Sequence, residues 1–327
     1  MGLRALNNPT SSFSDRFADT SGLPKRIAVE YLVIAGGGGG SGLNAGGGGA
    51  GGYRTNYTSS DPVSSPKDSG GGGNIESPYL VGLNVAIPLY VGDGGEGGSQ
   101  PQSPTGYFMG FPGGDSAFGD IISVGGGAGG QPEGLWGWGS ADTGGSGGGA
   151  AYAPGSPPYG GGKGTENQGY RGGNTTSPTL GGAGGGGAGA VGTDKTSGTP
   201  GGAGGAGVYS DITGSPVQRA GGGGGGGDAP GPGGAGGAGG GGAGNSGEGT
   251  ATSGTANTGG GGGGGGGGSG VTASTGGDGG SGYIVLRISN SYSATFSGAT
   301  TSTITSVPGY NIYSVTAAPP TSTVTFS

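Results

Sequence analysis

The chain has 327 residues, of which 103 are glycine, 28% are hydrophobic and 9% are charged. Cysteine and histidine are absent, and the formal net charge is −7. An ordinary globular enzyme of this length needs more apolar side chains to bury a core. Disulfides, thiolate zinc sites and histidine general bases are excluded, and the scarcity of Lys and Arg argues against nucleic-acid binding. The composition therefore indicates a structural or binding protein, not an enzyme, with no cofactor and no metal.

The glycines divide the chain into three parts. All but four of them (Gly2, Gly22, Gly298 and Gly309) lie between residues 36 and 282. We therefore predict a leader at 1–27, a glycine-rich body with interspersed strands at 28–289, and a tail rich in Ser and Thr at 290–327.

The leader contains Phe13 and Phe17, four residues apart among polar residues. This spacing predicts a docking peptide that becomes ordered on a partner protein. A frayed terminus is the alternative.

Short strands stand out against the glycine. Runs rich in β-branched and aromatic residues predict strands in the body, and alternation of apolar residues with Ser or Thr predicts more in the tail. The body segments are 28–35, 79–91 (one long strand or a bent pair), 117–124, 208–213 and 283–289, and the tail segments are 294–297, 304–307, 310–316 and 323–326. No segment has a useful helical period, so we expect an all-β fold with essentially no α-helix.

The glycine tracts between the strands have a local period of three. Residues 201–207 read GGAGGAG, and 276–281 read GGDGGS. Three residues per turn is the period of a left-handed extended helix. Flexible linkers are the usual state of such runs, but the repeated GGX spacing between strands favours a packed polyglycine II bundle. Because ordering glycine is costly, we expect a β-core to anchor this bundle.

Several motifs occur in a characteristic order. They are VEYLVIAGGGGG at 29–40, AGGGGAGGYRTN at 45–56, a strand ending in VGDGG at 89–95, GGDSAFG at 113–119, a glycine-to-strand segment at 279–286, and an apparent terminal hairpin at 310–326. In this order the chain resembles the glycine-rich domain of phage tail-fibre and related virion proteins. A more distant similarity, to the glycine-rich domain of anaplastic lymphoma kinase-type receptors, implies a jelly-roll-like antiparallel β-sandwich that sends out polyglycine helices.

The resemblance implies a function. It implies a phage virion fibre or adhesin on the particle surface, attached to other virion proteins through the leader and recognising a host glycan or outer-membrane protein. The resemblance does not decide whether the protein forms a homotrimer, or whether it attaches to the tail or to the head of the particle. Two alternatives remain: a purely structural head fibre or capsid decoration, and an ice- or polysaccharide-binding surface module.

Aromatic residues in the connections are the candidate receptor-binding residues. They are Tyr107, Phe108, Phe111, Trp136, Trp138, Tyr152, Tyr159 and Tyr170. Amphipathic aromatic side chains on loops suit recognition. They can equally plug the ends of the bundle or its seam with the sandwich, and the sequence leaves both roles open.

Overall fold

The computed structural model describes residues 25–59, 69–99, 109–131, 139–152, 159–176, 180–196, 200–228, 230–267 and 274–327. The strands in these ranges are β1 (Arg26–Ile34), β2 (Tyr53–Thr55), β3 (Tyr79–Gly82), β4 (Ala86–Tyr90), β5 (Ser116–Phe118), β6 (Ile121–Ser123), β7 (Val208–Ser210), β8 (Val217–Arg219), β9 (Gly249–Thr250), β10 (Ser274–Thr275), β11 (Tyr283–Ser289), β12 (Ala294–Ser297), β13 (Thr300–Ile304), β14 (Tyr310–Ala317) and β15 (Thr323–Phe326). The described residues contain no α-helix, only a 3₁₀ turn at Gly70–Gly72. The all-β prediction is confirmed.

Two larger sheets organise the strands. The first has the order β13-β14-β11-β1-β2, and β3 pairs with the first half of β1. The second has the order β12-β15-β4-β5-β6. Pairing of β1 with β11 and of β11 with β14 is antiparallel. Strands from the beginning, the late body and the tail of the chain therefore form one structure. Two smaller pairs, β7–β8 and β9–β10, lie outside these sheets.

The two sheets share one apolar core, as in an antiparallel β-sandwich. Its buried residues are Ile27, Val29, Tyr31, Val33, Val81, Ile87, Leu89, Val91, Phe118, Ile284, Leu286, Ile288, Tyr313, Val315, Ala318, Val324 and Phe326. Phe118 of β5 makes edge-on ring contacts with Tyr79 of β3 and with Phe326 of β15, at centroid distances of 5.3 and 6.3 Å. Full burial of such a side chain contributes roughly 2 kcal/mol. The jelly-roll-like connectivity stays a prediction.

The first sheet is also buried on its other face. Leu32 and Ile34 of β1, with Val285 of β11, lie in a second apolar core that includes Val208 of β7 and Ile212. Because both faces of β1 are covered at its centre, its sequence there is a continuous apolar run rather than an alternating one. This second core attaches the glycine-rich body to the sandwich.

Two of the predicted strands require correction. The predicted strand 117–124 is a hairpin, because Gly119 takes a φ of +59° and reverses the chain between β5 and β6. The predicted strand 304–307 is wrong: β13 ends at Ile304, and Pro308 and Gly309 (φ +84°) form the turn into β14.

The predicted hairpin at 310–326 is also wrong. β14 pairs with β11 and β13 in the first sheet, whereas β15 pairs with β12 and β4 in the second. The chain crosses between the sheets at 318–322 because the apolar residues of both strands face the shared core. The segment 79–91 is the bent pair, with β3 and β4 in different sheets.

The glycine tracts are joined to one another by backbone hydrogen bonds. Gly36 and Gly39 both donate to the segment 111–114, with N···O distances of 2.9 Å, so a neighbour recurs at every third residue. Tract 36–41 donates to 46–49, 111–114 and 277–280 and accepts from 95–98, 126–129 and 262–265. Tract 221–227 donates to 45–48, 202–205 and 239–245 and accepts from 182–185, 234–237 and 261–267. Each tract is thus surrounded on all sides by other tracts.

Close approach explains why these positions are glycine. A Cβ atom added at Gly223 would lie 2.0 Å from the carbonyl oxygen of Gly262, and one added at Gly48 would lie 2.0 Å from that of Gly38. Neither distance is compatible with a side chain. The absence of Cβ atoms therefore permits the lateral hydrogen bonds.

The tracts leave the sandwich at one end. β1 runs from Arg26 to Ile34 and continues directly into tract 36–40, and β11 begins at Tyr283, directly after tract 276–282. The other end of the sandwich holds Lys25, whose carbonyl accepts a hydrogen bond from Leu83 N–H (3.0 Å). We call the end with Lys25 the proximal end, and the end of the body farthest from the sandwich the distal end.

A half-buried ion pair, Arg54–Glu76, lies where the two sheets meet. The Arg54 guanidinium donates two hydrogen bonds to Glu76 (2.6 and 2.7 Å) and one to the carbonyl of Ile122 in β6 (3.0 Å). The Tyr31 hydroxyl donates to the same carboxylate (2.7 Å). Burial, reinforced by this hydrogen bond, raises the pKa of Tyr31, so its phenol remains a donor. Glu76 is therefore the shared acceptor at the seam between the sheets.

We expect Gly223→Ala to destabilise the protein by about 3 kcal/mol or more, because its methyl group meets a carbonyl oxygen that neighbouring tracts hold in place. Gly160→Ala is the matched control: nothing lies within 4 Å of its added Cβ, so it should be neutral or slightly stabilising. Chemical denaturation of both variants is the measurement. Equal effects of the two substitutions would contradict tight packing of the tracts.

Glu76→Gln should destabilise the protein by about 1–2 kcal/mol, because one amide oxygen cannot accept both Arg54 hydrogen bonds and the half-buried guanidinium loses its counter-charge. The control is Asp194→Asn in the pair with Arg171, whose side chains are 39% and 45% exposed and 3.5 Å apart. Its effect should stay below about 0.5 kcal/mol. Urea unfolding distinguishes the two, and a Glu76→Gln effect no larger than the control would show that the seam does not depend on this ion pair.

Candidate binding surface

The distal end collects the turns that connect the glycine tracts. The described residues there are 41–45, 98–99, 109–110, 130–131, 139–140, 151–152, 159–160, 175–176, 195–196, 226–228, 245–246, 266–267 and 274–276. Hydrogen bonds connect them: Tyr152 N–H donates to Asn44 O (3.2 Å), and Thr176 N–H donates to Lys195 O (3.2 Å). These hydrogen bonds join turns that are distant in sequence.

The turn at 41–45 ties the first tract to its neighbours. Ser41 is fully buried; its hydroxyl donates to Gly129 O (2.6 Å) and accepts from Gly110 N–H (2.9 Å). Leu43 and Asn44 follow with φ values of +57° and +53°. Their left-handed conformation reverses the chain so that tract 45–52 returns beside tract 35–41.

Among the predicted aromatic residues that the structure describes, Phe111 is the most exposed, at 52%. Its backbone is held on both sides, since its N–H donates to Glu96 O and its carbonyl accepts from Gly39 N–H, both at 2.9 Å. Met109, two residues earlier, is 48% exposed. A rigid backbone here presents apolar side chains to solvent.

Tyr152 and Tyr159 are half-buried at the distal end. Tyr159 forms a two-way backbone bridge with Thr175, at 3.1 Å in each direction. Tyr170 lies elsewhere, near the sandwich: its N–H donates to Gly187 O (3.0 Å), and its hydroxyl would lie 2.8 Å from a Cβ added at Gly72. The structure thus brings Tyr152 and Tyr159 to the distal end but leaves Tyr170 out.

The remaining candidate residues, Tyr107, Phe108, Trp136, Trp138, Phe13 and Phe17, lie outside the described residues. Their roles stay predictions.

Lys195 is a buried cation at this end, with 1% of its surface exposed. Burial lowers the pKa of Lys195, and the Asp228 carboxylate offsets part of that shift. Its ammonium group lies 3.4 Å from Pro200 O. The ammonium group is therefore enclosed by the protein and is not presented at the surface.

Neither a metal site nor a membrane-spanning helix is found in the part of the chain that the structure describes. No group of three or more acidic side chains there could hold a metal ion. Nor do the described residues include a helix long and apolar enough to cross a membrane.

Sequence reasoning missed the turn residues Ser41, Leu43 and Asn44. The available signal was the segment SGLNA, which has a single glycine, between the glycine runs 36–40 and 46–49. Nothing local indicated that this turn would lie among the other turns, because the packing of the tracts decides that placement.

Ser41→Ala should lower the stability by about 1–3 kcal/mol, because it leaves the buried Gly110 N–H without an acceptor. The exposed residue Ser140 provides the control, and Ser140→Ala should change stability by less than about 0.5 kcal/mol. Thermal unfolding checks both. Equal melting temperatures would show that Ser41 does not hold the segment carrying Phe111.

Comparison with known proteins gives one positive result. A search of curated proteins found no match. Residues 19–289 match the glycine-rich domain family. This match covers strands β1 to β11 and the whole glycine body, which is most of the chain. The chain therefore belongs to the glycine-rich domain family.

Proposed function

We propose that the protein is a phage virion fibre or adhesin that attaches at its proximal end and recognises the host surface at its distal end. The observation that carries the proposal is the separation of these ends. Lys25, which belongs to the predicted leader at 1–27, lies at the proximal end, whereas the turns of the glycine tracts gather at the distal end. A fibre that joins a particle to a cell requires such a polarity.

The separation is substantial. β1 has nine residues, and strands rise about 3.3 Å per residue. Tract 35–41 continues it with a rise of about 3.1 Å per residue if it is an extended threefold helix. The span from Arg26 to Ser41 is then roughly 50 Å. Docking through Phe13 and Phe17 of the leader would leave the distal surface well clear of the particle.

We further propose that the glycine body is a polyglycine II bundle. The recurrence of hydrogen-bond partners at every third residue supports this geometry, as does the enclosure of tracts 36–41 and 221–227 by neighbours on all sides. Such a body would be stiff, because each tract is tied laterally to several others. It would hold the distal turns in a constant arrangement.

The distal aromatic residues supply the binding chemistry in this proposal. Phe111 is 52% exposed on a backbone that is hydrogen-bonded to Gly39 and Glu96, and Tyr152 is half-buried next to the turn at Asn44, to which its N–H donates. Aromatic side chains bury a large area at low entropic cost and are frequent energetic anchors of interfaces. Recognition of a host glycan or outer-membrane protein by this surface requires neither a cofactor nor catalysis. A homotrimer would multiply the same surface on the particle.

The test is adsorption of particles that carry Phe111→Ala or Tyr152→Ala. We expect each to reduce adsorption to host cells at least tenfold, the equivalent of about 1.4 kcal/mol. Leu80→Ala is the control, since Leu80 is 57% exposed on the sandwich, and it should leave adsorption unchanged. The double substitution Trp136→Ala and Trp138→Ala should also abolish adsorption while the protein stays folded.

Unchanged adsorption by all the folded distal variants would contradict the adhesin proposal. It would favour a structural head fibre or capsid decoration. Loss of folding in the Trp136→Ala, Trp138→Ala variant would show that these residues are structural plugs.

A further inference from the structure

Strand β13 forms an open edge of the first sheet. It pairs with β14 on one side, and among the described residues no other segment is hydrogen-bonded to its backbone. Its first four residues are exposed, and it contains neither a charged residue nor a proline. The shift in its register with β14 is confined to Thr300 and Thr301. Charge, proline and bulges are the usual protection of an edge against pairing with another chain, and the rest of β13 has none of them.

The register of the sheet shows which backbone groups of β13 face outward. One row of opposite residues runs from Tyr31 in β1 through β11 and β14 to Thr303 in β13. Tyr31 N–H donates to Asn56 Oδ1 (2.7 Å), on the side of β1 away from β11. Opposite residues of an antiparallel pair direct their N–H and carbonyl groups either toward each other or away from each other. Along this row, the groups of Thr303 therefore point away from β14, as do those of Thr301, two residues earlier.

Two other edge strands are covered at the corresponding positions. In β2, Tyr53 N–H points away from β1 and donates to Gln168 O (3.0 Å). In β12, Ala294 N–H points away from β15 and donates to the Tyr313 hydroxyl (3.1 Å). The outward groups of β13 have no such cover among the described residues. This edge is thus built to accept a further strand.

The part of the chain that forms this edge carries no charge. All 11 basic and all 18 acidic residues lie at or before Arg287, so residues 290–327, which supply β12 to β15, have none. Two copies of a chain with a net charge of −7 would repel each other over most of their surface. At β13 they bring no like charges together, which favours a second copy as the occupant.

We propose that β13 pairs antiparallel with β13 of a second copy of this chain, about a two-fold axis at Ser302. Thr301 of each copy then lies opposite Thr303 of the other, and each of these two pairs exchanges two backbone hydrogen bonds. Threonines opposite each other on neighbouring strands also make favourable contacts. The first sheets of the two copies become one continuous sheet.

The symmetry has a consequence for the assembly. An antiparallel pair directs the distal ends of the two copies in opposite directions, so this pairing belongs to the free chain or to copies on two different particles. The interface is small, and small interfaces are weak and transient. Dimerisation should therefore depend on concentration, with a dissociation constant on the order of 100 μM.

The experiment is sedimentation equilibrium of the full chain from about 5 to 500 μM, a range that brackets this constant, with residue-resolved hydrogen exchange at both ends of the range. We expect a monomer that becomes a dimer. The amides of Thr301 and Thr303 should exchange at least fivefold more slowly at the highest concentration. The Ser302 amide, which faces β14, should exchange at the same rate throughout.

Thr303→Lys places a charge on the edge and should weaken dimerisation at least tenfold without changing the melting temperature, because Thr303 is exposed in the monomer. Thr303→Pro removes an N–H that β14 does not use and should also abolish the pairing. Thr252→Lys is the matched control, since Thr252 is an exposed threonine of the glycine body, and it should dimerise like the wild type.

Four results would overturn the inference. A chain that stays monomeric throughout the range has no such interface, and dimerisation that both Thr303 variants leave unchanged uses another surface. A trimer excludes it, because pairing of one edge about a two-fold axis closes at two copies. Slow exchange of Thr301 and Thr303 at every concentration would show that another segment of the same chain covers the edge. None of these results bears on adsorption, so the adhesin proposal is tested separately.

Discussion

Lateral hydrogen bonding between backbones without side chains is the interaction on which the rest of this structure depends. In tracts 36–41 and 221–227, the N–H and carbonyl groups point to neighbouring tracts in turn, and a Cβ atom at Gly48 or Gly223 would meet a carbonyl oxygen at 2.0 Å. Ordinary proteins satisfy buried backbone groups within helices and sheets. Here the same requirement is met between extended tracts, because glycine alone permits so close an approach.

Hydrogen bonds alone give the glycine body little net free energy of folding. Each ordered glycine loses more conformational entropy than alanine, by roughly 0.5–1 kcal/mol, while a hydrogen bond contributes a net ~0.5–1.5 kcal/mol. The two terms nearly cancel. The apolar side chains of β1, β11 and β15 therefore have a role beyond their own sheets, because their core fixes the ends from which the tracts start. The Arg54–Glu76 pair reinforces that base where the two sheets meet.

The same constraint places the supporting backbone and the proposed recognition residues in different parts of the protein. Inside the body, the buried side chains are mostly small, such as those of Ala50, Ala183 and Ser146, so larger side chains lie mainly at its periphery and in its turns. Phe111 and Tyr152 occupy such positions, and they are held by backbone contacts rather than by a core of their own. A surface supported in this way can change its side chains without disturbing the fold. That separation is what the adhesin proposal requires.

The sequence by itself determined the all-β class, most strands and the need for packed glycine, because β-propensity and glycine content are local properties. Ala294–Ser297 and Thr323–Phe326 match β12 and β15. The short strands β2 and β8 carried too few apolar residues to be recognised. Only the tertiary structure decided that β14 and β15 lie in different sheets, and that Tyr152 lies at the distal end while Tyr170 does not. It also decided the left-handed conformation of Leu43. The physical reason is that glycine runs carry no side chains to specify a neighbour, so their register and the placement of their turns follow from long-range hydrogen bonds anchored by the sandwich.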